Sequence, residues 1–267
     1  MLNLGKHNVL GVLIDAVDYE ESVEFIIRAA QEKRAATISA LAVHGLMTGV
    51  LDQEHRFRLN AFDLLVPDGQ PVRWALKALH GKSLPSRVYG PNLTLRVCER
   101  AEVLQLPVYF YGSNPKTLAA LKFSVEKRFP KLLIAGMEPS KFRQLTPDEK
   151  TLLASRIRES GAALVFVGLG CPRQETFAYE IRSLVERPML AVGAAFPFLA
   201  GILPQAPSWM QDSGLEWLFR LLAEPRRLWR RYVFLNPAYI LLIALQALGL
   251  ANFSTAGQPP ARELLFG

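Results

Sequence analysis

Asp68 lies in the run Val66-Pro67-Asp68-Gly69-Gln70-Pro71, where a short apolar stretch gives way to a segment patterned as a helix. At the carboxyl end of a strand in an open α/β sheet, a carboxylate faces the crevice where ligands bind. A glycine beside it frees the backbone path. A carboxylate so placed can take a proton from a hydroxyl as that oxygen attacks an electrophile. The same position also suits the N-cap of a helix beginning near Pro71, and the two roles stay open at this point.

A second run, Val167-Gly168-Leu169-Gly170-Cys171-Pro172-Arg173-Gln174-Glu175, repeats the pattern of strand, glycine turn and helix. Glycines let the backbone approach a phosphate, and N–H groups at a helix start bind anions. The run has Gly-x-Gly without the third glycine of a dinucleotide fingerprint, which argues against a nicotinamide oxidoreductase. An ordinary tight turn accounts for it equally well. Gly112-Ser113-Asn114-Pro115 forms a further turn of small residues after an apolar run. Small-residue turns at successive strand ends suggest one shared binding edge.

Periodicity indicates the elements that must carry these turns. Strands are expected at Thr37–Val43, Leu64–Val66, Val108–Tyr111, Leu132–Ala135, Leu164–Val167 and Met189–Val192. Helices are expected at Tyr19–Glu32, Pro71–His80, Leu93–Leu104, Pro115–Phe129 and Pro147–Ser160, several with proline in the first turn. Continuous apolar strands alternating with helices predict an α/β, Rossmann-like fold over residues 1–203. Its sheet is mainly parallel and covered by helices on both faces.

From Pro204 the texture changes to short proline-punctuated stretches rich in tryptophan and arginine, so residues 204–253 are expected to form a helical, membrane-associating appendage. The apolar run Ala238–Ala251 is 14 residues long, below the ~18–20 that a spanning helix needs. It reads as a helix lying in the membrane interface. The alternatives are a core or dimer helix, or a span that would have to include Asn236-Pro237. Residues 254–267 are expected to be a poorly ordered tail.

The chain has 267 residues, is half hydrophobic and carries a formal charge of +7, with a pI near 9.5. Such a balance points to anionic partners. Arg220, Arg226, Arg227, Arg230 and Arg231 interleave with Trp217, Phe219, Trp229 and Tyr232 ahead of the apolar run. That arrangement suits an acidic lipid surface better than nucleic acid. The two cysteines, Cys98 and Cys171, show neither metal-ligand spacing nor a disulfide framework, which indicates a reducing compartment. No signal-peptide pattern is evident at the N-terminus.

Several blocks together carry a specific resemblance. They are Pro67-Asp68-Gly69-Gln70, Arg87-Val88-Tyr89-Gly90, Gly168 to Glu175, Val192-Gly193-Ala194-Ala195-Phe196 with Ala200-Gly201, and Ala206-Pro207-Ser208-Trp209-Met210-Gln211. The last continues as Gly214-Leu215-Glu216-Trp217-Leu218-Phe219-Arg220 through Glu224-Pro225-Arg226-Arg227. In order and spacing, over about residues 8–235, they resemble the WecG/TagA/CpsF glycosyltransferases (family 26).

The resemblance implies an inverting transfer from a UDP-sugar to a polyprenyl-diphosphate-linked saccharide, with no metal and no other cofactor. It makes Asp68 the general base. It places donor contacts at Arg87, Gly168, Gly170 and Gln174, with Gly112 of the third small-residue turn beside them. Lipid-diphosphate contacts fall on the C-terminal arginines, of which helical spacing favours Arg220, Arg227 and Arg230. It further implies a cytoplasmic protein attached peripherally to the inner face of the cell membrane, with homo-oligomers common. Exopolysaccharide or another cell-surface polymer is the expected product.

Two positions depart from the family pattern. Its Thr-x-Asn pair, about 28 positions before the aspartate, is Ala40 and Ala42 here. Its Gly-x-Asp after the arginine is Gly90-Pro91-Asn92. His44 is the nearby polar residue able to replace a donor-sugar contact, or it is structural. A contrasting reading is a non-catalytic nucleotide-sugar-binding or scaffold subunit of a membrane polysaccharide assembly complex. The altered Thr-x-Asn favours it and the intact Asp68 and Gln174 oppose it.

Overall fold

A computed structural model describes residues 1–267. The chain opens with an antiparallel hairpin, β1 (Asn3–Val9) and β2 (Val12–Val17). Next come α1 (Tyr19–Gln31), β3 (Ala36–Leu41), α2 (Val43–Leu51), α3 (Gln53–Asn60), β4 (Leu64–Pro67), α4 (Gln70–His80) and α5 (Gly90–Val103). The second half of the sheet comes from β5 (Val108–Gly112), α6 (Pro115–Arg128), β6 (Ile134–Glu138), α7 (Pro147–Glu159), β7 (Leu164–Gly168), α8 (Arg173–Val185) and β8 (Pro188–Ala191). Short helices α9 (Ala195–Leu199), α10 (Ser208–Asp212), α11 (Glu216–Ala223) and α12 (Pro225–Arg230) precede a π-helical turn, Arg231–Leu235, and α13 (Asn236–Ala247).

Six strands form a parallel sheet in the order β4-β3-β8-β7-β5-β6. Successive strand residues face opposite sides, and here both sides are buried. Val165 and Val167 of β7 pack with Phe177 and Ile181 of α8, while Leu164 and Phe166 pack among Phe110, Val97 and Phe196 on the other face. Two apolar layers therefore sandwich the sheet, as the unbroken apolar strand sequences predict. The Rossmann-like α/β reading holds.

Local chemistry sets several helix starts. Asp18, Asp52, Asn114 and Thr146 cap α1, α3, α6 and α7 with their side chains, and Thr146 forms a capping box with Glu149. Sequence periodicity misses the β1–β2 hairpin, α2 and α3. Leu41-Ala42-Val43 is apolar without a breaker, so it reads as continuing strand, yet β3 ends at Leu41 and Val43 opens α2. Helix α3 is short and polar, and it buries His55 and Arg58 along with Leu59, so it has no apolar stripe to read.

The C-terminal segment lies against the body. Tyr239 donates to the Pro71 carbonyl at 2.9 Å, and Gln246 accepts from Leu10 N–H and donates to the Asn8 carbonyl. No helix is long and apolar enough to cross a membrane. Residues 254–267 are not the loose tail expected from composition. Leu145 N–H donates to the Leu265 carbonyl at 2.7 Å, Glu180 accepts from Leu264 and Leu265 N–H, and Ser140 donates to the Gly267 carbonyl. Leu264, Leu265 and Phe266 are only partly exposed there, so the segment has apolar anchors that its polar start conceals.

Candidate active site

The carboxyl ends of β3, β4, β7 and β8 open into one cleft of about 420 Å³, lined by Ala42, Asp68, Gly168 and Gly193 among others. Its volume lies within the range of small-molecule sites. Leu41 and Pro67 are in register at the ends of β3 and β4, so Ala42 and Asp68 both stand one residue past the paired strands.

Asp68 is not the cap of α4. That helix is preceded by Gly69 and receives no side-chain cap. The Asp68 carboxylate instead accepts the backbone N–H of Gly90, at the start of α5, at 3.0 Å. Burial pushes its pKa up to about 6 against the pull of nearby Arg87; Glu216 adds to the rise, and the Gly90 N–H and Arg220 oppose it. The group is thus ionised at neutral pH yet basic enough to accept a proton.

Arg87 is 9 % exposed and held on three sides. Its guanidinium lies over the Tyr89 ring at 4.2 Å, donates to Gln211 Oε1 at 3.0 Å and pairs with Glu216 at 2.5 Å. Gln211 and Glu216 belong to α10 and α11, so the C-terminal segment completes this side of the cleft.

Across the cleft, Gly168 ends β7 and Gly170 lies in the turn that follows. The backbone is crowded at the first of them, where a Cβ would lie 2.4 Å from the Phe196 ring. Gly112 lies one step behind, where a Cβ would be 2.7 Å from Gly168 C. Ser113 and Asn114, rather than Gly112, reach the cleft lining. Gln174 also lines it but is only 3 % exposed. Its Oε1 accepts Gly170 N–H at 3.1 Å and its Nε2 donates to Glu175 at 2.8 Å, so it braces the glycine turn from within.

Among the C-terminal arginines, Arg220, Arg227 and Arg231 line the cleft, and Arg230 does not. Arg230 lies over the Trp229 ring at 5.3 Å, outside the cleft lining. Spacing favours Arg230 only if one regular helix runs from Arg220. Helix α11 ends before Pro225, and the π-helical turn from Arg231 re-aims the chain beyond it. Arg231 and Glu216 thus line the cleft, although the sequence reading names neither as a contact. The Nε atoms of Arg220 and Arg231 are buried without a hydrogen-bond partner.

Ala40 and Ala42 line the wall beside Asp68 and offer no side-chain hydrogen bond. A Cβ on Gly90 would stand 3.3 Å from Ala40, so this wall is built from small groups. His44, at the start of α2, borders the same cleft. Its Nδ1 is buried and unpartnered, and burial together with Arg231 holds the ring down at about 4, which makes it neutral at pH 7.

The cleft therefore combines a basic carboxylate, a glycine turn at a helix start and a cluster of arginines. The profile of the glycosyl transferase WecG/TagA/CpsF family matches residues 7–252, spanning the sheet, the cleft and the C-terminal helices. The chain belongs to the WecG/TagA/CpsF glycosyltransferase family.

Proposed function

We propose that the protein transfers a sugar from a UDP-sugar to a polyprenyl-diphosphate-linked saccharide, with inversion, during synthesis of a bacterial exopolysaccharide or other cell-surface polymer. The observation that carries this reading is the placement of Asp68 and Arg87, Arg220, Arg227 and Arg231 around one cleft. In the reaction, Asp68 takes the proton of the acceptor hydroxyl as that oxygen attacks the anomeric carbon. The bond from that carbon to the diphosphate breaks, and UDP leaves. One displacement needs one base, unlike the carboxylate pair of a glycosidase.

The departing charge is met by fixed cations and backbone N–H groups in place of a divalent ion. Arg87 and the Gly168–Gly170 turn serve the donor diphosphate, with Gln174 positioning the turn from behind. Arg220, Arg227 and Arg231 serve the acceptor diphosphate. His44, which borders the cleft beside the Ala40 and Ala42 wall, is the polar residue nearest a donor sugar there.

The acceptor is a lipid, and the C-terminal segment has a surface suited to reaching it. Trp209, Phe234, Ile240, Leu241, Leu248 and Leu250 are exposed, on the same segment as the arginines of α12 and the π-helical turn. A surface of this kind docks at an acidic membrane face without spanning it.

UDP release from UDP-hexoses, UDP-N-acetylhexosamines and UDP-hexuronic acids, tested with a short-chain lipid-diphosphate disaccharide, checks the reading. Release that requires both one donor class and the acceptor supports it. If no donor releases UDP with any lipid-linked acceptor, the protein is a nucleotide-sugar-binding subunit instead.

A further inference from the structure

We propose that His55, Cys171 and Glu175 form a binding site for a zinc-type divalent cation that pins the glycine turn after β7 to α3. The imidazole, thiol and carboxylate ligand atoms of these residues lie within 4.8 Å of one another. They come from separate parts of the fold: α3, the turn after β7, and the first turn of α8. Zinc takes such ligands at ~2.0–2.3 Å. Atoms within that spacing reach bonding distance of a common centre by side-chain shifts of at most roughly 0.5–0.8 Å each.

Independent observations point to a ligand at this place. His55 is 2 % exposed and its Nε2 has no hydrogen-bond partner, while the Cys171 thiol donates to the 1 % exposed Glu175 carboxylate. Buried polar atoms are nearly always satisfied, so a buried ring nitrogen left over beside a thiol and a carboxylate calls for an occupant. The rest of Glu175 is fully engaged: Oε1 accepts from Ser39 Oγ at 2.9 Å and Gln174 Nε2 at 2.8 Å. His55 is fixed by its own backbone, whose N–H donates to Asp52 at 3.0 Å in the α3 cap. The Cys171 thiol, as hydrogen-bond donor, satisfies the carboxylate but leaves His55 Nε2 alone.

The donor set selects the cation. Thiolate and imidazole exclude magnesium and calcium, and their combination with one carboxylate suits zinc. On binding, Cys171 releases its proton to solvent, and thiolate plus carboxylate neutralise the two positive charges of the ion. A water molecule supplies the fourth position. Cys171 and Glu175 border the cleft and His55 lies outside its lining, so the ion sits at the cleft wall. There it holds the turn without taking part in transfer, and it binds independently of the proposed reaction.

The test uses the untagged full chain, dialysed against a chelator and titrated with Zn²⁺ in competition with a chromophoric chelator. Cobalt(II) titration is read in parallel for thiolate-to-metal charge-transfer absorption. One Zn²⁺ per chain and a cobalt–thiolate band are expected. Cys171→Ser should abolish the band, and His55→Ala should weaken zinc binding about 100-fold or more. Cys98→Ser, altering a buried cysteine outside the cluster, should leave both unchanged. Failure of the unsubstituted chain to take up zinc, or a cobalt–thiolate band that survives Cys171→Ser, overturns the proposal.

Discussion

Glu216 of α11 pairs with Arg87 at 2.5 Å, joining the C-terminal segment to the loop that leads into Gly90 and so to Asp68. The cleft is thereby assembled from distant parts of the chain. The helices after Pro204 contribute Gln211, Glu216, Arg220, Arg227 and Arg231 to its lining. Removing them should leave the strand-end turns in place while dismantling the side that faces the acceptor.

A chain ending near residue 205 loses exposed Trp209, Phe234, Ile240 and Leu241. It also uncovers the apolar surface on which Tyr239, Leu242 and Leu265 pack, so it should be less soluble than the full chain. Its transfer to a lipid-linked acceptor should fall by about 100-fold or more, as expected when several groups positioning one substrate go together. Turnover assays with detergent-solubilised acceptor measure this, and undiminished turnover would remove the segment from the acceptor site.

Glu216 raises the Asp68 pKa, which stands at about 6. Replacing Glu216 with Gln removes a negative charge that disfavours the Asp68 carboxylate. The acidic limb of the kcat/KM profile should therefore move to lower pH. A limb that stays in place, or moves upward, would separate Glu216 from the electrostatics of Asp68.

The arginines divide by position. Arg231→Gln should raise KM for the lipid-diphosphate acceptor about tenfold or more, since it removes a charged hydrogen-bond donor from the cleft. Arg230→Gln, on a side chain outside the lining, should change it about twofold or less. Steady-state kinetics on the two variants decides between the structural placement and simple helical spacing; equal effects would favour the latter.

Asp68 also makes a stability prediction. Its folded pKa, about 6, lies above the ordinary 3.8, so between those values the folded chain holds a proton that the unfolded chain has released. Stability from this group is full below about pH 4 and falls as pH rises through about 6. Asp68→Asn should therefore raise the melting temperature at pH 8, and the gain should vanish toward pH 4. Thermal unfolding across that range checks the sign, and a variant less stable at pH 8 would contradict it.

Much of the fold is readable in the residues. Strands such as Leu164–Val167, buried on both faces, announce themselves by apolar continuity, and Asp68 stands out at the end of one. The hidden features depend on contacts distant in sequence. Whether Asp68 caps a helix or faces the cleft is decided by the Gly90 N–H, 22 positions away. Gln174 has the same sequence signature whether it touches a ligand or braces Gly170. Arg231 rather than Arg230 lines the cleft because the helix from Arg220 breaks at Glu224, where the backbone leaves the helical region without a mark in local periodicity. The hairpin escapes notice because Lys6 and Asp15, which meet across it at 3.7 Å, break its apolar pattern.

The proposed mechanism rests on Asp68 as the base in sugar transfer. Its most direct test is acceptor-dependent UDP release by Asp68→Asn, alongside UDP-sugar binding by the same variant, with the donor identified in the screen. Binding close to that of the unsubstituted chain is expected, with release reduced about 100-fold or more. Release at the unsubstituted rate with full acceptor dependence would show that another group takes the proton.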